Sequence, residues 1–79
     1  MEFYFDKMKI RNREEFATDK FIFVSYEDFF MGEWIGNINV FDVKTKKMLQ
    51  HTTTEHALSI SQLKEYASRY TNQLLLSRF

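Results

Sequence analysis

The chain has 79 residues, with eleven Lys and Arg balanced by eleven Asp and Glu, no Cys, no Pro and two Gly. One domain is the ceiling at this length, a disulfide scaffold or thiolate metal site is excluded, and no apolar run approaches the roughly 18 residues of a membrane-spanning helix. Nine Phe, four Tyr and one Trp are too many rings for a disordered chain, and neutrality disfavours both an acidic nucleic-acid mimic and a broadly basic nucleic-acid binder.

In chain order, residues 2–11 read as a first strand, aromatic and alternating in polarity. Its apolar face changes sides near Asp6, which predicts a bulge or strong twist there. Residues 12–19 are polar and read as a turn, with room for one helical turn at residues 13–17. Residues 20–26 form the clearest strand. Phe21 and Phe23 face one way while Ile22, Val24 and Tyr26 face the other, so both faces are apolar and the strand is central.

Residues 25–28 offer caps for a short helical turn at Phe29, Phe30 and Met31, closed by Gly32. An aromatic loop between strands is the alternative. Residues 33–43 return as a strand. The two glycines, Gly32 and Gly36, mark a bend or a close approach of another backbone or ring. Residues 44–47 form a polar turn, and residues 48–53 a fourth strand whose threonines suit an exposed β end.

The last segment reads as a helix. Ser59 as N-cap with Gln62 three residues on makes a capping box. Ile60, Leu63, Ala67, Tyr70 and Leu74 form a stripe at helical spacing, and the helix ends near Leu76. The fold class is therefore α+β across a single domain, residues 1–79: a four-stranded antiparallel meander with one C-terminal helix packed on one face.

One helix covers one face of such a sheet. Phe29, Phe30, Met31 and Trp34 are candidates to cover the second face. Leu75, Leu76 and Phe79 lie off the helix stripe and also need a partner. A curled sheet, a second copy of the chain or another protein would meet these needs. Aromatic and Met side chains ringed by Glu27, Asp28 and Glu33 resemble the apolar core and polar rim of an interface. They also suit an ordinary core. The expected protein-binding set is Phe29, Phe30, Met31, Trp34, Leu75 and Phe79, and the expected assembly is a homodimer with a further protein partner.

Catalytic chemistry finds little support. His51 and His56 are five apart, a spacing that fits neither a helix face nor one strand face, and no third metal ligand accompanies them. The serines lack a nucleophile-elbow context, and there is no phosphate-binding glycine loop. The carboxylate pairs Glu14/Glu15 and Glu27/Asp28 read as solvated turn residues, without the burial that shifts a general acid. No metal, cofactor or enzymatic activity is expected.

Nucleic-acid binding is the alternative. Lys7, Lys9, Arg11 and Arg13 recur at every second residue and would line one strand face. Lys44, Lys46 and Lys47 add a second basic cluster, and Phe3 or Phe5 a stacking platform. An edge strand guarded by lysines accounts for the same pattern. The helix lacks the basic polar face of a membrane-surface helix, and the first residues lack a signal peptide's basic head and apolar stretch. A cytoplasmic, non-catalytic adaptor or inhibitor, encoded by a phage or mobile element of AT-rich composition, is the expectation from size and composition.

Overall fold

The computed structural model describes residues 9–76. Four strands, β1 (Ile10–Ala17), β2 (Phe21–Phe30), β3 (Glu33–Asp42) and β4 (Met48–Thr54), precede one helix, α1 (Ile60–Leu76). The strands pair antiparallel in the order β1-β2-β3-β4. The fold is thus the α+β meander with a C-terminal helix that the sequence predicts.

Among the described residues the first strand is β1, Ile10–Ala17. Residues 2–8, with the bulge expected at Asp6, lie outside the described residues. β1 takes residues 10–11 of that expected strand and residues 12–17 of the polar stretch read as a turn. Its register against β2 slips between Arg11 and Glu14, where Asn12 takes a left-handed conformation (φ 55°). This bulge inserts one residue and reverses the side-chain phase. Arg11 faces the helix side, and so do Glu14 and Phe16 beyond the bulge, so no simple alternation is visible along IRNREEFA.

β2 runs on to Phe30, past its predicted end at residue 26, because neither the expected helical turn nor the aromatic loop forms, while β3 keeps its predicted place. Met31 and Gly32 make a two-residue hairpin turn with positive φ at both positions, 51° and 85°, closed by the Phe30–Glu33 pair. Those angles define the type I′ turn, whose twist matches that of the flanking strands. The β3–β4 turn is held by Asp42, whose Oδ1 accepts the amides of Lys44 (2.8 Å) and Thr45 (2.9 Å).

The helix starts as its sequence dictates. The Gln62 amide donates to Ser59 Oγ at 3.2 Å and the Ser59 amide to Gln62 Oε1 at 2.9 Å, a reciprocal capping box. α1 lies chiefly over β1 and β2. Leu63 and Ala67 bury against Phe23, Ile38 and Val40, with Phe16, Phe21, Leu58, Tyr66 and Tyr70 around them. Phe23 meets Tyr70 edge-on at 5.6 Å, and Phe21 meets Tyr70 at 5.2 Å, the geometry aromatic quadrupoles favour. Burial, with Tyr66 nearby, raises the Tyr70 hydroxyl above its ordinary pKa.

The opposite face carries a second cluster, Val24, Tyr26 and Phe41, with Ile10 and Ile22 against it. These three residues are only 3%, 3% and 6% exposed. Asn39, buried there, donates to Tyr26 Oη at 3.1 Å and shares its Oδ1 with His51 Nδ1. Asn37 donates to Asp28 Oδ1 at 3.1 Å. Polar side chains in mid-sheet are therefore satisfied, as burial requires.

Candidate functional site

The residues expected to form one binding surface separate into two groups. β2 runs from Phe21, beside the C-terminal half of α1, to Phe30 at the hairpin tip. At about 3.3 Å per residue this span is roughly 30 Å. Leu75 lies with Lys20, Phe21 and Thr71 at the first end, Phe79 lies outside the described residues, and Phe29, Phe30, Met31 and Trp34 lie together at the tip.

The tip extends past the helix. Phe29 and Trp34 sit directly opposite each other in the register, edge to face with ring centroids 5.3 Å apart. Phe30 emerges on the other face and Met31 caps the turn. Phe29, Phe30 and Met31 are 45%, 58% and 87% exposed, so these apolar side chains are not consumed by the core. Lys9 Nζ lies 5.3 Å from the Phe29 ring centre and Arg11 Cζ lies 4.0 Å from that of Trp34. Both cations sit where a ring's negative face attracts them. The surface is thus an apolar hairpin end with a cationic border on its helix-side face.

Glu27 fixes that border. The sequence predicts a solvated turn carboxylate, but Glu27 lies inside β2 and is buried. The Ala57 amide donates to its Oε2 at 2.8 Å, Arg11 Nε to its Oε1 at 2.7 Å and Asn12 Nδ2 to the same oxygen at 3.4 Å. The Ala57 amide and the Arg11 guanidinium hold its carboxyl below the usual glutamate range, because both favour the charged form. Next to it Ser25 Oγ accepts the Leu58 amide at 2.8 Å. Two buried β2 side chains thereby dock the connection from β4 to α1. Gly36 makes room for that connection: a Cβ there would lie 2.5 Å from the His56 carbonyl carbon and would also collide with the Thr54 hydroxyl.

The basic residues do not form one stripe. Lys9 and Arg11 share a face as alternation predicts, but the bulge turns Arg13 to the opposite face, where it pairs with Glu15 at 3.1 Å. Lys7 lies outside the described residues. Lys44, Lys46 and Lys47 stand at the far end of the sheet beside Lys20, whose carbonyl accepts the Val43 amide at 3.0 Å. Lys46 turns its ammonium onto the Val43 carbonyl at 2.7 Å.

His51 lies on the face away from the helix, whereas the backbone of His56 crosses Gly36 on the helix side. Among the described residues no three His, Cys, Asp or Glu side chains gather as metal ligands, and no helix is long and apolar enough to cross a membrane. Comparison with protein-family models, curated proteins and solved structures gave no match. Sequence reasoning missed Arg11 as a partner of Trp34 and Glu27 as a buried anchor. The antiparallel register places both, and no short-range pattern reveals that register.

Proposed function

We propose that this chain is a small non-catalytic protein-binding module, an adaptor or inhibitor of another protein, that engages its partner through the β2–β3 hairpin tip and also self-associates. The observation that carries this reading is the exposure of Phe29, Phe30 and Met31 around the half-buried Trp34. Rigid rings and Met are the side chains enriched in interface cores. They stand on a two-residue turn, so little conformational entropy is lost when a partner orders them. The Lys9 and Arg11 border suits a partner with carboxylates around an apolar pocket.

The double variant Phe30→Ser/Met31→Asn tests the proposal, since neither side chain supports the core. Tagged wild type and variant are compared for retained host proteins, and each retained protein is purified and titrated against both. Binding that falls at least tenfold in the folded variant supports the tip as the contact surface. Equal binding by both removes it.

Nucleic-acid binding is less well served. Arg11 is committed to Glu27 and Trp34, Arg13 faces away, and the Lys44–Lys47 turn is at the opposite end. Binding of single-stranded DNA with a steep salt dependence, abolished by Lys9→Glu, would favour it instead.

A further inference from the structure

We propose that the chain self-associates through the free edge of β4, pairing antiparallel with β4 of a second copy about a two-fold axis at Thr52 to give a continuous eight-stranded sheet. This deepens the self-association part of the proposed function and does not depend on the hairpin tip.

The argument begins with the two edges. β1 is guarded: it carries the left-handed bulge at Asn12 and three consecutive charged residues, Arg13, Glu14 and Glu15. Bulges and charges are how edge strands block pairing. β4 is different. Its seven residues, MLQHTTT, include no Lys, Arg, Asp, Glu or Pro. Its one irregularity falls between Gln50 and Met48, which leaves residues 50–54 as a regular exposed edge.

The register then decides which backbone groups are free. The two-residue turn makes Phe30 and Glu33 a hydrogen-bonding pair, and such pairs alternate along an antiparallel ladder. β3 therefore turns the amides and carbonyls of Gly36, Ile38 and Val40 toward β4. The bond from the Asp42 amide to the Lys47 carbonyl at 2.9 Å follows the same phase. Their partners Thr54, Thr52 and Gln50 spend their backbone groups on β3. His51 and Thr53 present theirs outward, to solvent.

A two-fold axis through Thr52 sets His51 opposite Thr53 of the second copy, and Thr53 opposite its His51. Each pair exchanges two bonds, so all four free groups on each chain are satisfied. Thr52 meets Thr52 as a close non-hydrogen-bonded pair, and Gln50 meets Thr54. No acidic or basic side chain in residues 50–54 meets its own copy, which is the electrostatic condition for a self-complementary edge. The helix does not obstruct this edge. It lies chiefly over β1 and β2, and it reaches β4 at Gln50, whose Nε2 donates to Tyr66 Oη at 3.1 Å, while His51 and Thr53 stay exposed.

Light scattering at concentrations up to about 1 mM, the range in which weak association becomes visible, and cysteine cross-linking test the proposal. Thr53→Pro removes an outward amide and spares the β3 ladder, a position where an edge strand tolerates proline. Wild type is expected to be dimeric and folded Thr53→Pro monomeric, with Phe30→Ser/Met31→Asn still dimeric. Thr52→Cys, in a chain with no other cysteine, is expected to oxidise to a covalent dimer, because the paired Cα atoms fall in the range of about 4.4–6.8 Å that a disulfide spans. Thr53→Cys, offset from its own copy, is expected to remain reduced. A monomeric wild type, a dimer lost only in the tip variant, or Thr53→Cys cross-linking faster than Thr52→Cys would each overturn the β4 pairing. The tip as a partner-binding surface would stand or fall on its own titration.

Discussion

Glu27 on β2 accepts the backbone amide of Ala57, thirty residues later in the chain, at 2.8 Å. The same carboxylate takes Arg11 from β1 at 2.7 Å, so one buried charge joins the edge strand, the central strand and the connection to the helix. Substituting Glu27 with Gln keeps the shape and removes the charge. Hydrogen bonds to charged groups contribute about 1.5–3 kcal/mol, and Arg11 is half exposed, which screens its share. Glu27→Gln is expected to lower stability by about 1–3 kcal/mol in urea unfolding.

The same carboxylate sets an acid limb. Its pKa is depressed in the folded protein, first by the Ala57 amide and then by Arg11. Its contribution is therefore present in full above the ordinary glutamate pKa and is lost as pH falls through the lower folded-state value. Unfolding free energy measured below about pH 4.3 should fall less steeply in Glu27→Gln than in wild type. Parallel limbs in the two proteins would show that Glu27 is not the group responsible.

Gly36 is a separate test of how the connection is seated. A Cβ at this position meets the His56 backbone at 2.5 Å, and backbone cannot rotate away as a side chain end can. Gly36→Ala is expected to cost about 1–3 kcal/mol, the range for overpacking a close contact. Amide exchange at Ala57 and Leu58 should accelerate selectively, because their acceptors Glu27 and Ser25 would be pulled out of reach.

What the sequence makes legible is whatever is encoded within a few residues. Ser59 and Gln62 announce the helix start because a capping box is local. The opposed apolar sets of Phe21/Phe23 and Ile22/Val24/Tyr26 give away a central strand because their alternation is unbroken. β1 is hidden for the converse reason: the bulge at Asn12 breaks the alternation, and most of its side chains face water. The hairpin tip is hidden because Met31 is a poor residue for positive φ, so its sequence does not resemble a type I′ turn. Glu27 stands beside Asp28 in sequence and reads as part of a solvated carboxylate pair, and only pairing with β1 and the return of the chain at Ala57 bury it. The candidate surface was readable in composition, as surplus aromatics, but its division between the two ends of the sheet depends on register.

Met31 allows stability and binding to be separated. It holds a left-handed conformation at φ 51°, which costs a non-glycine residue about 1–2 kcal/mol, and its side chain is almost wholly exposed. Asn is preferred at this position of a type I′ turn, ahead of the glycine that Gly32 already supplies. Met31→Asn alone is expected to raise stability by up to about 1 kcal/mol while removing an apolar group from the tip. A variant that unfolds later in urea yet binds its partner more weakly would mean that Met31 is kept against the turn's own preference, for contact. A variant that is more stable and binds equally well would confine the contact surface to Phe29, Phe30 and Trp34.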